Sequence, residues 1–368
     1  MLAFCAAASI SKVYFAQPLL GALARDFALS DAWVGGIIGA TQVGCALALA
    51  LVVPLGDRWP CKRVLLVRFV LLTPALLAVG LVQAHWSLLL GMLSIGLLGT
   101  AMTQGLIACA AVLAPSPERG RVVGAVQGGV VIGLLLAHAL TGWIAEVAGW
   151  RAVYATSVGF SVAMLCMLWR ALPTPPTVLS PPKYIALLRS MWQLLMAEPV
   201  LQGRGLIGLL MFAAFNVFWG AMALALSAPP YEFSPAGIGS FGLVGVIGAL
   251  AAARAGHQAD RRWAQAATGV ALDLLLVAWL PLGLGAQHLA GLIVGVVLLD
   301  LGGQAVHVPQ SEADFSLAAG GAQPAVWRVH AVLCGGQWIG GGAFDAGVCV
   351  GRMIKDMSSG EQPSAWRC

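Results

Sequence analysis

Apolar runs of about 20 residues recur along this chain, and a run of that length matches the hydrocarbon thickness of a bilayer when it is helical. Ten of them cover residues 2–24, 33–55, 64–83, 87–113, 122–142, 151–170, 203–226, 237–256, 266–284 and 289–307. Inside lipid every backbone N–H and C=O must be bonded within its own helix or within a closed barrel, and runs this long satisfy that as helices. The expected fold class is all-α: a polytopic membrane protein with about ten transmembrane helices. Composition agrees. Of 368 residues, 60% are hydrophobic and 10% charged, against about 25% charged in soluble domains. The net charge of +5 is spread over the turns between apolar runs, which argues against a nucleic-acid patch. The eight cysteines show no CxxC and no metal-ligand spacing. The first run lacks an Ala-x-Ala cleavage site followed by a soluble domain, so it reads as a span rather than a signal peptide.

The connections are mostly short, which makes neighbouring helices antiparallel. The exception is 171–202, with Pro173, Pro175, Pro176, Pro181 and Pro182. It divides a half of six spans at 1–170 from one of four at 203–312, followed by a tail at 313–368. Two charged turns stand in matching positions of the halves, Leu55-Gly56-Asp57-Arg58-Trp59-Pro60-Cys61-Lys62-Arg63 and Gly256-His257-Gln258-Ala259-Asp260-Arg261-Arg262. Lys and Arg set the orientation. With the N-terminus in the cytoplasm, inside connections hold Arg58, Lys62, Arg63, Arg68, Arg119, Arg121, Arg170, Lys183, Arg189, Arg204, Arg254, Arg261 and Arg262. Outside connections hold only Arg25 and Arg151. Both Asp-Arg turns then face the cytoplasm, and Trp33, Trp86, Trp143 and Trp150 mark the outer interface.

Five stretches carry a resemblance. They are Val13-Tyr14-Phe15-Ala16-Gln17-Pro18-Leu19-Leu20, the turn at 55–63, Pro117-Glu118-Arg119-Gly120-Arg121, Gly149-Trp150-Arg151, and Asp300-Leu301-Gly302 with Gln304. With them, residues 1 to about 312 resemble the major facilitator superfamily, in its branch of drug-efflux and sugar-efflux-like bacterial permeases. The resemblance implies twelve spans in two six-helix halves, a central cavity and alternating access. It implies a multi-pass protein of the bacterial inner membrane that moves a small molecule, by efflux, with proton coupling left open. The expected partners are that substrate, protons and the lipid bilayer, for a monomeric chain. The chain also departs from the pattern. Val53 and Pro60 stand where glycines are usual, and Cys61 where a basic residue is usual. Span four has no arginine ahead of Gln104-Gly105, and span five lacks a proline.

By position, Asp57 with Arg58 and Asp260 with Arg261 take the superfamily's cytoplasmic-turn role. An Asp there can accept from the N-terminus of a neighbouring helix and pair with an Arg, latching one conformation. The bland reading is solvated loop charge that sets topology. Asp300 and Asp273 are the intramembrane acids. A charge at the bilayer centre costs at least about 2.5–3.5 kcal/mol, so each is expected to face a cavity or a partner. Asp300 and Gln304 lie one helical turn apart on one face, which suits a proton carrier or a structural hydrogen bond. His138 is either a group that titrates near neutral pH or a packing hydrogen bond. Lys12 is an unusual charge inside span one, unless that span begins short and leaves it near an interface. Tyr14 and Gln17 in span one, with Gln42, Gln104, Gln127 and Asn216, supply the polar groups that a ligand cavity needs. Gly124, Gly128, Gly129 and Gly133 would let span five approach another helix closely. There is no P-loop, metal cluster or nucleophile elbow, so neither an enzyme nor a bound cofactor is expected.

After Glu312 the character changes. Residues 313–368 hold no 18-residue apolar run, are rich in Gly, and are interrupted by Arg328, Asp345, Arg352, Lys355 and Asp356. Read one nucleotide on, the codons for 314–342 allow a basic loop followed by a Gly-rich apolar helix. The tail is therefore expected to be the product of a one-nucleotide shift near Ala313. The competing functional class is a non-transporting remnant or a membrane partner of another chain.

Overall fold

The computed structural model describes residues 1–56, 58–173, 183–197, 199–227, 231–245, 264–284 and 289–303. Asp57, Asp260, Arg261, Gln304 and the tail 313–368 lie outside the described residues, so the latch turns and the tail reading are carried by sequence alone. Helices make up most of the described residues: α1 Leu2–Tyr14, α2 Ala16–Asp26, α3 Asp31–Leu47, a π-helical turn Ala48–Val52, α4 Val53–Gly56, α5 Cys61–Leu81, α6 His85–Leu113, α7 Arg119–Ala148, α8 Trp150–Ala171, α9 Tyr184–Ala197, α10 Pro199–Ser227, α11 described over 235–245, α12 Ala264–Leu284 and α13 Leu289–Gly303. Five stretches among the described residues are long and apolar enough to cross a membrane: Trp33–Gly56, Cys61–Leu81, His85–Leu113, Arg119–Ala148 and Trp150–Ala171. Ala213–Ser227, Leu272–Gly283 and Leu289–Gly303 are shorter apolar helices. Of the ten runs expected from sequence, five are thus shown as long apolar spans among the described residues.

Prolines explain two irregularities. The first run is two helices, α1 and α2, because Pro18 has no N–H for the carbonyl of Tyr14 and its ring crowds that carbonyl. Phe15, at the junction, keeps right-handed angles (φ −59°, ψ −32°), so the chain continues in the same direction. In the second run Pro54 deprives the carbonyl of Ala50 in the same way, and the backbone widens into the π turn just before it. The Pro-rich segment also holds a helix. In α9, Leu187 is buried, Met191 packs on Leu49 and Val53, and the Tyr184 hydroxyl donates to the Leu51 carbonyl at 2.9 Å.

Glycines set the tightest helix contacts. A Cβ on Gly129 or Gly133 would strike the carbonyls of Ala3 or Ala7 on α1, and one on Gly96 would strike the carbonyl of Thr41 on α3. Gly124 and Gly128 face open space, so only half of the expected stripe in span five is a contact surface. Gly149, at φ 81°, lets α7 turn into α8 with a single residue between them.

The core has two main parts. Near the end of the bundle that carries Asp26, both halves contribute: Leu19, Leu23, Ile37, Leu72, Trp150 and Tyr154 meet Phe218, Trp219, Phe241, Ala278 and Leu299. Near the end that carries Lys62, the cluster of Cys5, Leu65, Phe69, Met102, Leu106, Val123 and Leu168 comes, among the described residues, from the N-terminal half alone. Among those residues the halves are therefore joined towards the Asp26 end. Exposed Val70, Leu71, Leu77 and Leu81 on α5, with Phe160, Val162 and Trp169 on α8, give the outer surface a lipid-compatible face.

Candidate functional site

Where the halves meet, a buried polar cluster replaces the apolar packing. Gln17 of α2, Gln42 of α3, His138 of α7 and Asn216 of α10 are all nearly inaccessible. The Asn216 Oδ1 accepts from Gln42 Nε2 at 2.6 Å and from Gln17 Nε2 at 3.5 Å. Gln17 Oε1 faces His138 Nε2 at 2.7 Å, and His138 Nδ1 faces the Leu134 carbonyl at 3.2 Å. The His138 ring stacks on Trp219 of α10, with centroids 4.2 Å apart. Such a cluster is tolerated in an apolar bundle because nearly every member has a partner. The exception is Gln42 Oε1, which has none.

Asp300 adjoins this cluster. It is 1% exposed, and its Oδ2 has no hydrogen-bond partner. A Cβ on Gly245 would collide with that oxygen, and a Cβ on Gly242 would meet His138, so His138 and Asp300 lie along one bare glycine face of α11. Leu135 packs at the same place. Gln104 on α6 is buried with Oε1 unpartnered, and Tyr14 is buried beside Val13, Cys45 and Ala137. Structure thus brings Gln17, His138, Asn216 and Asp300 together. Asp273 does not join them, because it lies exposed on α12.

Three features escaped sequence reasoning. Arg68, counted there among loop charges, is buried in α5 and donates to the carbonyls of Ala101 on α6 and Val52 in the π turn. Its guanidinium fills a slot whose walls are Gly56 and Gly105. Span four lacks the expected arginine, yet a guanidinium reaches it from span three. Lys12 points away from the interface between the halves. It donates to Ser161 Oγ on α8 at 2.7 Å and lies 5.5 Å from the centroid of Phe69. Trp150, read from sequence only as a ring at an outer helix end, is buried between helices there. Its indole N–H donates to Asp26 Oδ2 at 2.7 Å beside Arg151, which is 2.8 Å from the same oxygen. The indole bond and then the guanidinium hold the Asp26 carboxyl below its ordinary value. Arg58 is half-buried, with its N–H on the Leu55 carbonyl at 3.4 Å. Among the described residues no group of three or more His, Cys, Asp or Glu could hold a metal ion.

A family description for the Major Facilitator Superfamily matches residues 2–354. The chain belongs to that superfamily. Its match runs past residue 312 into the tail. The chain is 35% identical over 322 residues to the putative uncharacterized transporter YgaY of Escherichia coli K12, covering 88% of this chain and 78% of the relative. It is 26% identical over 255 residues to the purine ribonucleoside efflux pump NepI of Escherichia coli O127:H6, covering 67% of this chain and 59% of the pump. Among solved structures it resembles a bacterial homolog of the human lysosomal transporter Spinster in an inward-facing, occupied conformation. There the TM-score is 0.72 at 16% identity, over 98% of this chain and 83% of that one. The E. coli xylose transporter XylE in a partially occluded inward-open state follows with a TM-score of 0.63 at 16% identity, over 99% and 98% of the two chains. The protein is accordingly an all-α, multi-pass bacterial membrane protein of a family that performs secondary transport by alternating access rather than enzymatic catalysis.

Proposed function

We propose that this transporter exports a small molecule across the bacterial inner membrane, with its N-terminus in the cytoplasm and proton exchange through Asp300. The observation that carries the reading is the cluster of Gln17, Gln42, His138, Asn216 and Asp300 between the halves. A transported ligand must cross that plane. An unpartnered buried carboxylate beside it is costly unless something neutralises it, and a proton is the simplest neutraliser. With the basic turns inside, the Asp26 end is external and the closure seen there corresponds to an inward-facing state. Asp57 and Asp260, with Arg58 and Arg261, would latch the opposite state. A twelve-span ancestor, ten spans at 1–312 and an out-of-frame tail complete the reading. The competing reading, a chain that no longer transports, is favoured by the absence of any long apolar run in 313–368.

The test is uptake into proteoliposomes under an imposed pH gradient, beginning with purine ribonucleosides because one relative is named for exporting them. Gradient-dependent uptake that is lost in Asp300→Asn supports the proposal. Equal uptake in Asp300→Asn removes proton exchange at that residue. No uptake by the chain, but uptake by a gene with its frame restored near the codon for Ala313, supports the remnant reading.

A further inference from the structure

We infer that Cys61 and Cys109 form a reversible thiol–disulfide site, at which a peroxide oxidises Cys61 and Cys109 then closes the disulfide. The inference goes beyond the transport reading and does not rest on it. Cys61 is the first residue of α5, and Cys109 lies one turn before the end of α6. These helices pack on each other, and Cys61 packs on the apolar cluster that contains Cys109, at the Lys62 end of the bundle. Cys109 is fully buried there, whereas Cys61 is half-buried. The two thiols meet. The Cys109 S–H donates to Cys61 Sγ, which also accepts from the backbone N–H groups of Cys61 and Lys62. Those two N–H groups open α5 and have no carbonyl within the helix to bond. In the family that the chain resembles, a basic residue is usual at the position of Cys61, so the pair belongs to this chain and not to the family pattern.

A cysteine that reacts with peroxide needs donors aimed at its sulfur, access from water and a second thiol within reach. Cys61 combines all three. The other described cysteines do not: Cys5 and Cys45 are buried, and Cys166 is exposed on the stripe of α8 that holds Val162 and Trp169, which faces lipid. The chemistry balances in two steps. The Cys61 sulfur attacks one oxygen of hydrogen peroxide. An S–O bond forms, the O–O bond breaks, and the departing hydroxide takes up the thiol proton as water. The Cys109 sulfur then attacks the Cys61 sulfenic acid. The S–S bond forms, the S–O bond breaks, and hydroxide leaves with the Cys109 proton as a second water. Two thiols are oxidised and one peroxide is reduced. A disulfide holds its sulfurs about 2 Å apart, closer than a hydrogen bond, so one side chain must turn. Cys61 can do so, because the first residue of a helix has no preceding turn to restrict its rotamer. The bond would tie the first turn of α5 to the end of α6, directly behind the charged turn at 55–63.

The test uses the purified full-length protein in lipid nanodiscs, reduced, freed of reductant and exposed to hydrogen peroxide. Remaining thiols are alkylated, and peptides are mapped by mass spectrometry without reduction. The expected result is a Cys61–Cys109 cross-linked peptide that dithiothreitol removes, with the Cys61 thiol lost before that of Cys166. In Cys61→Ser, Cys109 should stay reduced. In Cys109→Ala, Cys61 should instead accumulate as a sulfenic acid that dimedone traps. Should Cys109→Ala fail to elute as a folded monomer, the parent and Cys61→Ser decide between them, through the cross-link and the state of Cys109. A sulfenic or sulfinic acid that persists on Cys61 in the parent without a cross-link overturns the proposal. So does a Cys61 thiol lost no faster than that of Cys166, a cross-link from Cys61 to any cysteine other than Cys109, or oxidation of Cys109 in Cys61→Ser. Failure of transport for every substrate would leave this oxidation intact, so the two readings fail separately.

Discussion

Glu146, near the end of α7, caps the first turn of α11 in the other half: its Oε2 accepts from the Ser234 hydroxyl at 2.6 Å and from the Ala236 N–H at 3.2 Å. Ser234 is itself the N-cap, accepting from the Gly237 N–H at 3.3 Å, and Pro235 follows at the first helical position. A carboxylate at a helix N-terminus meets unpaired N–H groups and the positive end of the helix dipole. This is the arrangement expected of Asp57, realised at the opposite end of the bundle.

Glu146→Gln keeps one acceptor but removes the charge, and Glu146→Ala removes both. Cross-linking of Gly21→Cys to Ser227→Cys, whose Cβ positions would stand 3.3 Å apart, should be slower in Glu146→Ala than in the parent and intermediate in Glu146→Gln. Ser234→Ala should cost about 1 kcal/mol as a lost cap. Identical cross-linking rates in all three backgrounds would show that the contact does not hold the halves together.

The glycines of α7 separate packing from propensity. Gly133→Ala places a methyl group against the Ala7 backbone carbonyl, which cannot move aside cheaply. It should destabilise by about 1–3 kcal/mol. Gly128→Ala points into open space and should be neutral or stabilising by up to about 1 kcal/mol, from helix propensity. Thermal unfolding in detergent measures both, and equal effects would refute the assigned contact surface.

Much of this division was legible in the sequence and some was not. Apolar run length sufficed for the five long spans, because membrane thickness fixes it, but it gave neither the break between α1 and α2 nor α9. Gln17, His138, Asn216 and Asp300 were legible as candidates, because a polar side chain in an apolar run is expensive and must be accounted for. Arg68 was not assigned correctly because charge near a run's end looks the same whether it faces water or a neighbouring helix, and the partner of Lys12 was not legible because Ser161 is remote in sequence. Glu146 was overlooked because its partners, Ser234 and Ala236, are remote in sequence and are brought to it only by the packing of α7 on α11. For Trp150 the position at a helix end was legible, but the bond from its indole to Asp26 was not.

Lys12 offers a test of a buried cation away from the interface. Its ammonium donates to Ser161 Oγ, whose own hydrogen goes to the Ser157 carbonyl at 2.8 Å. Ser161→Ala removes the acceptor and leaves the charge, which should cost about 1–3 kcal/mol. Lys12→Met removes the charge and keeps the volume, which for a purely structural lysine should be neutral or stabilising. Combining the two should recover most of the loss from Ser161→Ala. If Lys12→Met is instead the more damaging change, the ammonium has a role that its hydrogen bond to Ser161 does not describe.

The Asp26 contact predicts an acid limit. Its carboxyl is held below the ordinary value by the Trp150 indole and by Arg151, so the folded state binds this proton less readily than the unfolded state does. Such a group stabilises the fold above the unfolded pKa of about 3.9, and the contribution is lost as pH falls through the lower folded value. The pair with Arg151 is solvent-exposed, with side chains 51% and 44% accessible, so the effect should be no more than about 1 kcal/mol. Asp26→Asn should therefore lower the unfolding temperature slightly at neutral pH and remove part of the fall in stability below about pH 4. Arg151→Gln should weaken the same acid dependence without abolishing it, because the indole bond remains. A full acid dependence in Asp26→Asn would assign it to other carboxylates.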